Sequence, residues 1–132
     1  MGTERPINIT VAPYDAKVFN RFIKRNIYHA TLPDDPDAFK KFSKLLLNDS
    51  RFPKNFAFFL SVRPSDFAKI VDQLAEENLL NEDKYWRRVL IEKPFGTNLK
   101  SAINLQASIS KHLKETQIYR IDHYLGKSAL QN

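Results

Sequence analysis

The chain has 132 residues, enough for one domain with a core of its own and too few for two. Hydrophobic residues make up 42% and charged residues 27%, with ten phenylalanines, so a soluble globular protein is expected and disorder is excluded. The absence of cysteine excludes disulfides and thiolate metal sites, and the formal charge of +6 suits an anionic ligand without choosing among a sugar phosphate, a dinucleotide and nucleic acid.

No apolar run reaches the roughly 18–20 residues of a membrane span, and the N-terminus lacks the basic-then-apolar pattern of a signal peptide. A cytoplasmic protein with no membrane partner is expected. Pro6 stands where a myristoylation signal calls for Ser or Thr. Residues 1–13, with Pro6 and Pro13 on either side of the β-branched run Ile7 to Val11, read as a loose arm or one short strand and are assigned to no domain.

From Asp15 the pattern turns helical, with Val18, Phe19, Phe22 and Ile23 on one side and Lys17, Arg21, Lys24 and Arg25 on the other. The basic side reads as a solvated face. Asp35 is an N-cap candidate with Pro36 at the first helical position, and the second helix should run to about Asn48 and bury Phe39, Phe42 and Leu46. Phe56 to Val62 is short and nearly all apolar, the signature of a strand buried on both faces of a parallel sheet. Ser65 or Asp66 can cap the following helix, whose face is Phe67, Ile70, Val71 and Leu74 and whose end is expected near Leu80.

Asn81 to Tyr85 is linker, and Arg87 to Glu92 is a second strand closed by Lys93-Pro94-Phe95-Gly96. Thr97 can cap a further helix in which Leu99, Ala102, Leu105, Ile109 and Leu113 recur at three and four residues, with Lys111 and Lys114 favouring its C-terminal dipole. Ile118 to Ile121 is a third strand. The order β-α-β-α-β over about 56–121, preceded by two helices, predicts an α/β fold that is one half of a doubly wound parallel sheet. Its three polar tips, Val62 to Ser65, Glu92 to Gly96 and Asp122 to Lys127, then share the edge where such sheets bind ligands. The first strand's outer edge and some apolar helix faces are left uncovered by this half, which predicts association or poor solubility.

The chemistry gathers in Arg120-Ile121-Asp122-His123-Tyr124-Leu125-Gly126-Lys127. His123, Tyr124 and Lys127 could together hold a dianionic phosphate, two by hydrogen bonds and one by charge. Adjacent strand residues point to opposite sides, so Asp122 and His123 do not pair with each other, and Asp122 could instead orient an imidazole from another segment. Lys93, held extended before a proline, is placed to act as a point charge on a phosphate or a sugar hydroxyl. His29 and His112 read as ordinary surface residues, and no metal site is expected. The only glycines are Gly2, Gly96 and Gly126, so the chain carries no Gly-x-Gly-x-x-Gly, P-loop or Gly-x-Ser-x-Gly.

Arg120 to Lys127 resembles the active-site signature of the glucose-6-phosphate dehydrogenase family, and Glu92-Lys93-Pro94-Phe95-Gly96 resembles that family's second hallmark at about the right distance before it. The similarity runs back through Phe58 to Pro64 and covers about residues 18–132. The resemblance implies a Rossmann-like NADP-binding domain, represented in part by residues 14–132, with NAD as the other possible cofactor. It implies oxidation of glucose 6-phosphate to 6-phosphogluconolactone in the oxidative pentose phosphate pathway, and a homo-oligomer in the full-length family.

By the same resemblance Asp122 would orient a base histidine. Substrate would be bound by Lys93, His123, Tyr124, Leu125, Gly126 and Lys127, and the cofactor by Lys93 and Phe59. The family's Gly-rich loop, its base histidine and its second domain have no match in these 132 residues, so the chain alone is expected to be inactive. Ser128 stands where the family usually has glutamate, and His29 to Leu32 lacks the family's usual glycine and tyrosine. The alternative is a degenerate sugar-phosphate-binding or regulatory module without catalysis. Nucleic-acid binding, resting only on the basic face of residues 17–25, has no motif behind it.

Overall fold

The computed structural model describes residues 14–32 and 34–122. Helices α1 (Ala16–Ile23) and α2 (Pro36–Asn48) precede strand β1 (Phe56–Leu60), helix α3 (Pro64–Glu76), strand β2 (Arg87–Glu92), helix α4 (Leu99–Ile109), a 3-10 turn (Glu115–Gln117) and strand β3 (Ile118–Ile121). The three strands are parallel in the order β1-β2-β3. The fold is therefore the expected α/β arrangement.

Two right-handed crossovers that step in the same direction put both helices on one side of the sheet. Accordingly α3 packs on α4, and α2 packs on α3. The core lies between this layer and the sheet, where Phe67, Val71, Leu74, Leu79, Val89 and Ile91 are all at most 2% exposed. The opposite sheet face is open among the described residues. Phe59, Leu90 and Tyr119 stand in register across it, and Phe59 is 54% and Tyr119 52% exposed. The expectation that β1 is buried on both faces is thus corrected to one face, with Phe56 and Leu60 inward and Ala57 and Phe59 outward. No described strand pairs with the outer edge of β1.

The local signals for α1 and α2 act as read. Asp15 accepts hydrogen bonds from the Lys17 and Val18 amides, and Asp35 accepts one from the Ala38 amide ahead of Pro36. The apolar side of α1, however, is not buried: Val18, Phe19, Phe22 and Ile23 are all exposed. In α2 Phe39 and Leu46 are buried while Phe42 is half-buried.

Two helix boundaries differ from expectation. Pro64 occupies the first helical position of α3 and Arg63 its cap, without a side-chain hydrogen bond, in place of Ser65 or Asp66. The helix stops at Glu76 because Asn78 turns left-handed (φ 56°), and the Leu79 amide then reaches back 2.9 Å to the Leu74 carbonyl. Leu79 and Leu80 still enter the core from outside the helix. For α4 the cap is Asn98, not Thr97, and the helix ends at Ile109; Leu113 is buried in the turn beyond it, whereas Leu99 is 77% exposed.

Candidate active site

Parallel strands bring the ends of β1, β2 and β3 to one edge, and the register sets Glu92 beside Ile121. The Lys93 amide donates to the Ile121 carbonyl at 3.1 Å, which extends the ladder by one bond past the end of β2. One residue further on either strand, the Lys93 Nζ donates to the Asp122 Oδ2 at 2.6 Å. Asp122 is the more enclosed partner, with its side chain 18% exposed against 52% for Lys93. The partner of Asp122 shown here is thus a lysine 29 positions away in the sequence. The edge also carries Arg63, after β1, whose Nε donates to Asp66 at 3.0 Å.

The turn after Lys93 is tightly specified. The Lys93-Pro94 peptide bond is cis. Phe95 packs against the core, and Gly96 has φ +127°, a conformation that side chains disfavour. On the other strand Arg120 points into the layer with α4. Its Nη1 donates to Glu115 and its Nη2 to Gln106, each at 2.5 Å. The Arg120 guanidinium holds the Glu115 carboxyl below the usual carboxylate range. Arg120 appears in the sequence motif without an assigned role, and only the fold reveals these partners.

Phe59 lies apart from the Lys93 and Asp122 pair. It is level with Leu90, three residues before Lys93, or roughly 10 Å along the strand. Its ring borders a groove of about 550 Å³ along β1 that is also lined by His29, Phe42, Phe58 and Val62. His29, read as surface, stacks on Phe42 with 5.5 Å between centroids, and its Nε2 is buried. His112 does lie at the surface, where its Nε2 is 2.8 Å from the Asp72 Oδ1 and links the end of α4 to α3. His123, Tyr124, Leu125, Gly126 and Lys127 fall outside the described residues. Among the described residues no cluster of three or more His, Asp or Glu side chains could hold a metal, and no helix is long and apolar enough to cross a membrane.

The family model for the glucose-6-phosphate dehydrogenase NAD binding domain matches residues 4–132. The chain belongs to that family. Glucose-6-phosphate 1-dehydrogenase of Treponema pallidum is 42% identical over 123 residues, which are 91% of this chain and 24% of that protein. The enzyme of Caenorhabditis elegans is 36% identical over 129 residues, 95% of this chain and 24% of the relative.

Two solved structures agree in fold. The crystal structure of the Mycobacterium avium glucose-6-phosphate 1-dehydrogenase has a TM-score of 0.73 at 36% identity, covering 87% of this chain and 23% of that one. A glucose-6-phosphate dehydrogenase in complex with its substrate glucose-6-phosphate has a TM-score of 0.75 at 29% identity, covering 98% and 26%. The chain spans about a quarter of the length of these relatives.

Proposed function

We propose that this chain supplies the substrate-facing half of a glucose-6-phosphate dehydrogenase site, with residues 14–132 forming part of the NADP-binding domain and residues 1–13 given no role in it. The observation that carries the proposal is the Lys93 and Asp122 pair at the adjoining tips of β2 and β3. In this reading Asp122 fixes the tautomer and direction of a histidine that removes the C1 hydroxyl proton of glucose 6-phosphate, as a carboxylate orients an imidazole base. Lys93 binds a sugar hydroxyl on one side and faces the cofactor on the other. His123 and Tyr124 hold the phosphate by hydrogen bonds and Lys127 by charge, with Leu125 and Gly126 as further substrate-binding residues.

NADP, when bound, would take the hydride from C1. The residues present fit such a group, since the Lys93 ammonium and the Phe59 ring are each about half exposed on the ligand edge and the open face. Neither described histidine stands beside Asp122, since the partner of His112 is Asp72 of α3 and His29 is stacked on Phe42 of α2. In this reading the base is the histidine that the family resemblance implies. The setting proposed is cytoplasmic, with a homo-oligomer in the full-length family and with neither nucleic acid nor a membrane as a partner.

Titration calorimetry of the chain with glucose 6-phosphate tests the reading. Heat that saturates, and that is lost in Lys93→Ala and in Lys127→Ala, is the expected result. No heat from the unmodified chain, or equal affinity in both variants, overturns it.

A further inference from the structure

We infer that Ser101 is a positioning residue for Lys93. Its hydroxyl uses its full capacity of one donor and two acceptor positions. It accepts from the Thr97 amide at 2.9 Å and from the Asn98 amide at 3.0 Å, and it donates to the Asn98 carbonyl at 2.9 Å. Closing the Asn98 cap of α4 requires only the reciprocal pair between Asn98 and Ser101. The bond to Thr97 lies outside the helix. It fastens the turn that leads out of Lys93.

Packing makes this attachment short and stiff. A Cβ placed on Gly96 would stand 2.7 Å from the Ser101 Oγ and 2.8 Å from the Ala102 nitrogen, so the turn lies directly against the first turn of α4. Phe95, half-buried, packs against the core on the same stretch. From Ser101 to Lys93 the path therefore runs through a fastened Thr97, a Gly96 in contact with α4 and a half-buried anchor at Phe95. The lysine at its end is otherwise a long exposed side chain, and its 2.6 Å approach to Asp122 depends on where its backbone is held.

The inference rests on the reading of Lys93 and Asp122 as the ligand-binding pair, but its test does not need the ligand. A double-mutant cycle of Lys93→Met and Asp122→Asn, read as unfolding constants in urea, measures the coupling of the pair. In the unmodified chain a coupling of roughly threefold is expected for a partly exposed ion pair. In the Ser101→Ala background it should fall to about one, in Ser101→Thr it should return, and in Asn98→Ala, which weakens the helix cap but keeps the hydroxyl, it should persist.

Should Ser101→Ala fail to fold, Ser101→Cys, a weak acceptor of similar size, carries the same test. Coupling that survives Ser101→Ala, that is equally lost in Asn98→Ala, or that is missing from the unmodified chain overturns the inference. Coupling that behaves as expected in a chain showing no calorimetric heat with glucose 6-phosphate would sink the functional reading and leave the positioning role standing.

Discussion

The Lys93 ammonium and the Asp122 carboxylate meet at 2.6 Å across the tips of two parallel strands, each one residue beyond the last ladder pair. Because Lys93 remains half exposed, the contact is worth a surface ion pair rather than a buried one. Lys93→Met should cost about 0.2–1 kcal/mol of stability in low salt, and much of that difference should vanish in 1 M salt. Urea unfolding at the two ionic strengths measures it, and a salt-independent loss would argue for packing instead.

Phe67 is 1% exposed in the first turn of α3, in the core between the sheet and the helices. Phe67→Ala should lower the unfolding free energy by about 3–5 kcal/mol. A loss below 1 kcal/mol by chemical denaturation would contradict the packing described.

At Gly96 two penalties combine, a left-handed φ of +127° and less than 3 Å of room for a Cβ. Gly96→Ala should destabilise by about 1–3 kcal/mol and weaken glucose 6-phosphate binding along with stability, because the Lys93 turn must shift to admit the methyl group. Parallel denaturation and calorimetry check both parts.

Asp49 accepts hydrogen bonds from the Arg51 guanidinium and, to lesser effect, from the Arg51 amide, and these bonds lower its carboxyl to about 2. The folded value lies below the unfolded value of about 3.9, so the contribution is complete above that value and is lost as the pH falls through about 2. The stability difference between the unmodified chain and Asp49→Asn should therefore hold from neutrality to about pH 5 and shrink steadily toward pH 2. A difference that grows on acidification would reverse the sign.

Assayed alone with glucose 6-phosphate and NADP, the 132-residue chain should produce no absorbance change at 340 nm above background, since removal of a general base typically costs about 10²–10⁴ in rate. Turnover that Asp122→Asn abolishes would show that one of the histidines within this chain serves as the base.

Much of this architecture was readable from residue types alone, and the parts that were not share a cause. Asp35-Pro36 marks the start of α2 unambiguously, and Val89-Leu90-Ile91 marks β2. In Phe56-Ala57-Phe58-Phe59-Leu60 both alternating sets are apolar, so periodicity could not tell that only one faces the core; that follows from which side the crossovers pass. The end of α3 was hidden because Leu79 and Leu80 continue the apolar pattern after Asn78 has already turned the chain.

Lys93 and Asp122 were each singled out, but their contact depends on a strand register that links positions 29 apart. The spacing of Asn98 and Ser101 did carry the signal for the α4 cap, and Thr97, one residue earlier, competed for the same role.

Helix α4 touches both sides of the site: Ser101, in its first turn, holds the loop of Lys93, and Gln106, farther along, holds Arg120 two residues before Asp122. The two charged groups are therefore referenced to one rigid rod rather than to each other alone. A small shift of that rod would carry both in the same direction and leave the gap between ammonium and carboxylate nearly as it is.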